Sequence, residues 1–494
     1  MVGFRKAFLL ASVDRYTNLI LNFVLIAVIS RLLPPSEIGV AAFGTTLTAF
    51  IENVRDVASV YLVQQKRIDE DDVRTAHTVM LLLTLCFSLA LLLGSSQISL
   101  YYNDGRLSLY VQVLAIALLT GPFERPLNAL LRRDMRFDKI AIVNISGGAV
   151  NVCFTLGLAA AGFGYMSFAW ALLISNLIGL VLLLWFQPNF RAFLPQLKYW
   201  RRAYRFGGVT AFTALLSQLN ELTPYFILSR VFNFNVVGYY SRTLMVGKIP
   251  NNLLMTGLAP VLLPAFASEA RAGGNLKAAF LNAVSLLSAA YWPAYLLVAM
   301  LAHPAVLILV GSQWISIVPA VQILAVALLF SFGFLISPVL LATGALRQIV
   351  TISLITVPTT AIVNAIAAIF GVKAIMLSML ITVPFYNFVA LTFLQRIIGF
   401  TWGEFFGALR KSAVVALFAI FPPALAVAWQ NFNLEISIER GVGLGLLSIL
   451  SWLVGIFVLR HPFADELTGI LTALRARLGG RGLPGLILSS GRRK

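Results

Sequence analysis

Charge is scarce in this sequence. Only 11% of its 494 residues are Asp, Glu, Lys or Arg, against roughly 25% in a soluble domain. So little charge cannot cover a water-facing surface, and most of the surface must face lipid. Cysteine is nearly absent: Cys86 and Cys153 both sit inside apolar runs, where we expect packing rather than a disulfide or a metal. The three histidines, His77, His303 and His461, are far apart and lack metal-ligand spacing; His303 and His461 each precede a proline near a span end and read as boundary residues. There is no GxxxxGK[ST] loop, HExxH or serine nucleophile elbow, which excludes P-loop ATP hydrolysis and the commonest hydrolases. Short alternating segments are also missing, which excludes a barrel. The outward loops are short and hold no catalytic domain, so the chain is not expected to be an enzyme and no cofactor is implied.

What is present is long apolar runs, 59% of residues being hydrophobic. A helix needs about 20 residues to cross the hydrocarbon layer. The runs predict about fourteen spans, at 9–30, 38–62, 78–99, 109–131, 140–161, 165–186, 207–229, 237–264, 281–310, 317–343, 349–370, 373–395, 412–430 and 441–459. The first opens after Arg5 and Lys6 like a signal peptide, but has no small-residue cleavage site and is expected to be a retained helix. Pro250, Pro260 and Pro264 predict a kinked or broken eighth span. Lys and Arg divide unevenly between the two sets of loops, with 27 on the side of both termini, six on the other and four within spans. That asymmetry predicts cytoplasmic termini. It also accounts for the net charge of +18 without nucleic acid, since no stretch interleaves aromatics with base-reading groups. The loop Gln64–His77 carries Asp69–Asp72 among basic residues. Gln187–Phe206, with Phe193, Tyr199, Trp200 and Tyr204, suits the headgroup layer. Leu467, Ile470, Leu471, Leu474 and Leu478 predict an amphipathic helix in the tail, ahead of a Gly-rich basic stretch near anionic lipid.

Two self-matches divide the chain. Ser30–Leu33 with Gly39 aligns with Ser229–Phe232 and Gly238 at an offset of 199, and Gly164–Phe168 aligns with Gly371–Ile375 at 207. They predict two six-helix units, residues 1–200 and 201–400, running the same way through the membrane. Two further helices (401–460) and a basic tail (461–494) follow. Parallel repeats of this kind place the substrate between the halves.

An intramembrane charge costs about 2.5–3.5 kcal/mol at a helix centre, so it faces a cavity or a partner. Asp14, Asn18 and Asn22 share one helical face, with Arg15 beside them. Glu52, Arg55 and Asp56 share another, and Glu124 and Arg125 lie between Pro122 and Pro126. Asn220 and Glu221 on the seventh span and Lys248 on the eighth lie deeper. An anionic headgroup such as a pyrophosphate needs fixed cations in a low-dielectric cavity, and the in-span cations are Arg15, Arg55, Arg125 and Lys248. Asp14, Glu52, Asp56, Glu124, Glu221 and the asparagines are the candidate polar and coupling groups. The alternatives are interfacial snorkelling for Asp14–Arg15 and Glu124–Arg125, and a packing ion network for Glu52–Arg55–Asp56. A carboxylate at this depth could also bind a coupling H+ or Na+.

Ser30–Val40, Leu130–Phe137, Val237–Arg242 and Gly311–Ile315, in this order and spacing, resemble signatures of Wzx-type oligosaccharide flippases. These belong to the multidrug/oligosaccharidyl-lipid/polysaccharide exporter superfamily. The resemblance covers residues 10 to about 400 and is nearest to the branch exporting colanic-acid or succinoglycan repeats. It implies an all-α membrane fold of two six-helix bundles around a central cavity plus two C-terminal helices (MATE-like). The implied substrate is a polyprenyl-diphosphate-linked oligosaccharide, its diphosphate implied to be held by Arg15, Arg55, Arg125 and Lys248, and polymerase and chain-length proteins of the same pathway are the implied partners. Relatives often carry Asp where this chain has Pro224, with Glu221 one turn earlier. Two rival readings stand beside the flippase: a cation-coupled multidrug antiporter of the same fold, whose cavity would favour carboxylates and aromatics, and a non-transporting scaffold of a polysaccharide synthesis complex.

Overall fold

A computed structural model describes residues 2–55, 62, 68–431 and 434–478. The described residues are helical throughout, with no strand among them. In chain order the helices are α1 (Val2–Leu32), α2 (Pro35–Arg55), α3 (Glu70–Tyr102), α4 (Arg106–Leu118), α5 (Gly121–Arg133), α6 (Phe137–Ala160) and α7 (Met166–Phe186). A 3-10 turn at Phe190–Phe193 leads to α8 (Trp200–Val231), α9 (Phe234–Gly247), α10 (Ile249–Arg271), α11 (Leu276–Met300) and α12 (Ala302–Leu309). The remainder are α13 (Val318–Leu328), α14 (Gly333–Ala342), α15 (Leu346–Ile369), α16 (Val372–Ile398), α17 (Trp402–Trp429), α18 (Ile438–Val458) and α19 (Pro462–Leu478).

Among the described residues, twelve helices are long and apolar enough to cross a membrane, so the chain is a multi-pass membrane protein. The predicted second and seventh spans are not among the twelve, but both places hold long helices, α2 and α8. Glu37, Glu52, Asn53 and Arg55 add polar groups to α2. The eighth span breaks at Lys248, two residues before Pro250. Three more predicted spans are also broken, between α4 and α5, between α11 and α12 and between α13 and α14. The third helix starts earlier than predicted. Asp69 caps it, accepting from the Asp72 amide while the Asp72 carboxylate accepts from the Asp69 amide, so His77 lies within α3 and not in a loop.

α1 packs on α6 and α6 on α7, while α8 packs on α15 and α15 on α16. α2 lies along α8 and α9 and joins the two sets. Their contact is closest at the far end of the molecule, opposite the end where α1 begins. There Phe43 meets Tyr102, Phe226 and Phe234 edge-on at 5.1, 5.4 and 5.7 Å. Segments that carried the family resemblance interlock at the same end. Arg31 donates to the Leu307, Ile308 and Leu309 carbonyls at 3.2, 2.6 and 3.3 Å, capping α12, whose last carbonyls have no helical donor. Fully buried Trp314 donates Nε1 to Ser30 O at 2.8 Å. Gly311 makes the turn with φ +99°, a conformation glycine adopts without strain.

α17 and α18 pack against α11, tied by Trp452 Nε1 to Ala289 O at 2.8 Å and Ser288 Oγ to Ser412 Oγ at 2.8 Å. The predicted tail helix is α19, which docks Phe463, Ala464 and Leu467 on Val415, Trp452 and Ile456; residues 479–494 lie outside the described set. Cys86 and Cys153 are exposed, so the expectation that they pack inside is corrected. In a membrane protein the lipid-facing side is as apolar as the interior, so an apolar run does not tell which side a residue takes. Phe193 packs its ring 5.2 Å from both His77 and Phe123. Its loop is clamped to α3, with the Gln196 amide donating to Thr78 Oγ1 at 2.8 Å and Lys198 Nζ 2.8 Å from Asp71 Oδ2. The Asp71 carboxylate raises the Lys198 ammonium above its ordinary range.

Candidate functional site: two chambers beside a broken helix

Two prolines in α5 determine what the charges on α2 do. Proline has no N–H, so the carbonyl four residues earlier loses its helical donor. For Pro122 that carbonyl is Leu118, and for Pro126 it is Pro122 itself. At membrane depth such carbonyls need other donors. Arg55, 1% exposed, supplies Nη1 to Leu118 O at 3.0 Å. Buried His77 places Nδ1 3.0 Å from the Pro122 oxygen; a carbonyl only accepts, so Nδ1 carries the proton. Gly121 makes the room, since a methyl group there would fall on the Arg55 guanidinium. Glu52 lies 3.9 Å from Arg55 and 3.3 Å from Arg125. Arg55 and Arg125, expected to hold a diphosphate, are thus in an α2–α5 packing network with Glu52, and neither is among the residues lining the two chambers described next. Asp56, expected in the same group, lies outside the described residues.

The larger chamber, ≈ 1100 Å³, lies between α1, α5, α6, α7 and α10 at the end where α1 begins. It gathers Asp14, Arg15, Asn18, Asn22 and Glu124 from the sequence reading. Both oxygens of the Asp14 carboxylate are occupied: Asn18 Nδ2 donates to Oδ1 and Asn144 Nδ2 to Oδ2, each at 2.8 Å. Asn22 Nδ2 donates to Asn18 O at 2.9 Å. Glu124 Oε1 is buried with no hydrogen-bond partner. Four asparagines that the sequence reading missed, Asn144, Asn151, Asn176 and Asn252, complete the wall. Asn144 and Asn151 are seven residues apart, two turns up one face of α6. That spacing within an apolar run was the available clue. None of the described lining residues is aromatic, and two carboxylates stand against one cation, Arg15.

A second chamber of ≈ 380 Å³ brings together Asn220, Glu221 and Lys248, as expected, with Tyr225, Tyr240 and Asn364. Lys248 sits at the α9–α10 break. Asn364 Nδ2 lies 3.5 Å from Asn220 Oδ1, and Ser378 Oγ donates to Asn364 Oδ1 at 3.1 Å. Asn252 lines both chambers and so joins them.

A family model described as a polysaccharide biosynthesis protein matches residues 28–319. The chain is 23% identical over 326 residues to an uncharacterized membrane protein in the cps region of Klebsiella pneumoniae. It is 24% identical over 334 residues to the lipopolysaccharide biosynthesis protein WzxC of Escherichia coli strain K12, and 24% over 315 residues to the succinoglycan biosynthesis transport protein ExoT of Rhizobium meliloti strain 1021. The matched stretches take in 64%, 65% and 62% of this chain, and 66%, 66% and 62% of those relatives' own lengths. Among solved structures, the lipid II flippase MurJ in an inward closed conformation superposes with a TM-score of 0.74 at 13% identity, over 93% of this chain and 100% of that one. An inward-facing multidrug resistance MATE family transporter of the MOP superfamily gives 0.64 at 15% identity, over 78% of this chain and 98% of that one. The fold is therefore the all-α, MATE-like fold expected from the sequence.

Proposed function

Because the chain belongs to the polysaccharide biosynthesis protein family, we propose that it is a flippase that carries a polyprenyl-diphosphate-linked oligosaccharide from the cytoplasmic to the outer leaflet of a bacterial inner membrane. Residues 1–200 and 201–400 are read as its two halves, 401–460 as two added helices and 461–494 as its tail, with both termini cytoplasmic. On this reading the halves are closed at the outer end and the chambers face the cytoplasmic end, where substrate is loaded.

One observation carries the reading: six asparagines, Asn18, Asn22, Asn144, Asn151, Asn176 and Asn252, line the ≈ 1100 Å³ chamber. A neutral amide offers two donors and an acceptor, the complement of a sugar hydroxyl, which both donates and accepts. Charge does not make the choice, because Asp14 and Glu124 outnumber Arg15 there and Glu221 balances Lys248 in the second chamber. Drug-binding pockets are lined by aromatic as well as apolar groups, and no described lining residue of the larger chamber is aromatic. Arg15 and Lys248 are the cations available to a diphosphate. Asp14, Glu124 and Glu221 are the groups available to a coupling H+ or Na+. Polymerase and chain-length proteins of the same pathway would take the product at the outer leaflet.

The test is reconstitution in proteoliposomes with a labelled polyprenyl-diphosphate oligosaccharide. We expect protein-dependent translocation that Asn144→Leu with Asn151→Leu reduces at least tenfold, with normal insertion. Efflux of a lipophilic cation without glycolipid translocation would support the antiporter instead. Glycan export unaffected by loss of the chamber asparagines would support the scaffold.

A further inference from the structure

Five of the asparagines in the larger chamber turn their amides the same way. Asn18 Nδ2 donates to Asp14 O at 3.0 Å and to Asp14 Oδ1 at 2.8 Å. Asn22 Nδ2 donates to Asn18 O at 2.9 Å, and Asn144 Nδ2 to Asp14 Oδ2 at 2.8 Å. Asn176 Nδ2 donates to Ala117 O at 3.3 Å. Asn151 Nδ2 donates to Ser175 Oγ at 3.4 Å, and that hydroxyl spends its own proton on Leu172 O. Backbone carbonyls, a carboxylate and a hydroxyl whose proton is spent can only accept. In all five side chains the nitrogen is therefore turned to the protein, and the carbonyl oxygen lies on the other edge of the amide. None of the five oxygens has a partner among the described residues, and none is sealed from solvent. Since these residues line the chamber, their oxygens open into it. Gly148, also in the lining, carries no side chain where a methyl group would fall on Asn18 Oδ1.

An amide has two N–H groups and two oxygen lone pairs. Asn18 directs both N–H groups to Asp14 and the other four side chains spend one each, so four N–H groups stand against ten lone pairs. Glu124 adds a carboxylate oxygen that is buried without a partner. Asn252, the sixth asparagine, has no side-chain partner among the described residues and is free to give or accept. Such a wall holds groups that donate. A sugar hydroxyl donates by rotating its proton toward the wall, whereas an ionised diphosphate has only acceptor oxygens. A metal ion also seeks oxygen, but among the described residues no group of three or more His, Cys, Asp or Glu is placed to hold one. Resting on the flippase reading, we propose that the chamber wall reads sugars as hydrogen-bond donors. Asn18, Asn22, Asn144, Asn151 and Asn176 accept from free hydroxyls, sugars with hydroxyls masked as ethers or esters are rejected, and the diphosphate stays at the mouth with Arg15. A site built to pair with a hydroxyl discriminates against the analogue that lacks it, because the groups of the site are left unpaired.

The experiment measures binding of three probes to the full-length protein in nanodiscs. The first is a farnesyl-diphosphate-linked glucose trisaccharide. The second is its per-O-methyl ether, which keeps every sugar oxygen and loses every donor. The third carries fluorine in place of the sugar hydroxyls, close to hydroxyl in size but unable to donate. The ether and the fluoro probe should each bind at least tenfold more weakly than the free trisaccharide. Arg15→Ala should weaken all three and leave these ratios unchanged. Asn22→Ala with Asn151→Ala removes two wall oxygens and should lower both ratios at least threefold, with inorganic pyrophosphate bound as before. An ether that binds as tightly as the free trisaccharide would overturn the proposal and leave the flippase reading standing. So would a fluoro probe that binds tightly while the ether does not, since the loss would then come from bulk. Ratios that collapse in Arg15→Ala would place the selection at the diphosphate and overturn the role of the wall. Failure of all three probes on the unmodified protein would overturn the flippase reading as well.

Discussion

Gly39 of α2 and Gly238 of α9 meet reciprocally. A methyl group on Gly39 would fall on the Phe234 carbonyl, and one on Gly238 would fall on the Pro35 carbonyl. Pro35 and Phe234 are separated by 199 residues, as are the two glycines. Two segments that contact each other through equivalent residues in both directions are related as the halves of an isologous interface, here within one chain. The contact supports reading the chain as two like-oriented halves, and it holds them together at the far end. Replacing either glycine by alanine should therefore push α2 from α9. Overpacking of this kind costs about 1–3 kcal/mol. We expect a lower thermal midpoint in detergent and loss of glycolipid translocation, with normal membrane insertion; unchanged melting in both variants would show that the helices are not in contact.

Arg55 and Arg15 should separate stability from binding. Arg55→Ala leaves the Leu118 carbonyl without its donor inside the protein, and an unsatisfied buried group costs about 1–3 kcal/mol. Thermal unfolding should show this loss, with partial recovery in Arg55→Lys, which keeps a donor. Arg15, exposed at the chamber mouth, should melt normally as Ala and lose diphosphate binding. The opposite pattern, a stable Arg55→Ala that no longer binds, would return Arg55 to the substrate site.

His77 makes a parallel case. His77→Phe keeps the stacking on Phe123 and Phe193 but removes the donor to Pro122 O, whereas His77→Asn keeps a donor and removes much of the ring contact. If the donor dominates, Asn should melt closer to the unmodified protein than Phe does.

His461 joins α19 to the helix pair before it. The Phe463 amide donates to its Nδ1 at 3.1 Å, leaving Nε2–H for Ser412 Oγ at 3.1 Å, and Ser285 Oγ is 3.5 Å away. Burial, and then the nearby Lys411 ammonium, push this histidine below its ordinary 6.5. The charged groups around it are Lys411 on α17, Arg460 beside it, and Asp465 and Glu466 on α19. A histidine lowered in the folded state favours the neutral form. Its contribution is complete above 6.5 and declines as pH falls towards the folded-state value. The thermal midpoint should fall below that pH, and the His461 part of the slope should vanish in His461→Gln. An identical pH profile in that variant would mean that other groups set it.

The sequence by itself determined the membrane class and the broken eighth span, and it carries the two self-matches. Each follows from local quantities: run length, proline position and residue identity at a fixed offset. It also placed Asp14, Asn18 and Asn22 on one face of the first helix, because helical spacing fixes which residues share a face; packing brought Glu124 to them. Only the tertiary structure decided that Arg55 serves a carbonyl rather than a cavity. That depends on a proline 67 residues later in the chain, brought beside it by packing. The same holds for Cys86 and Cys153, for Phe193 and for the asparagines of α6, α7 and α10. In a bilayer both the lipid side and the packed side of a helix are apolar, so composition leaves open which side faces inward, and the neighbouring helices decide it.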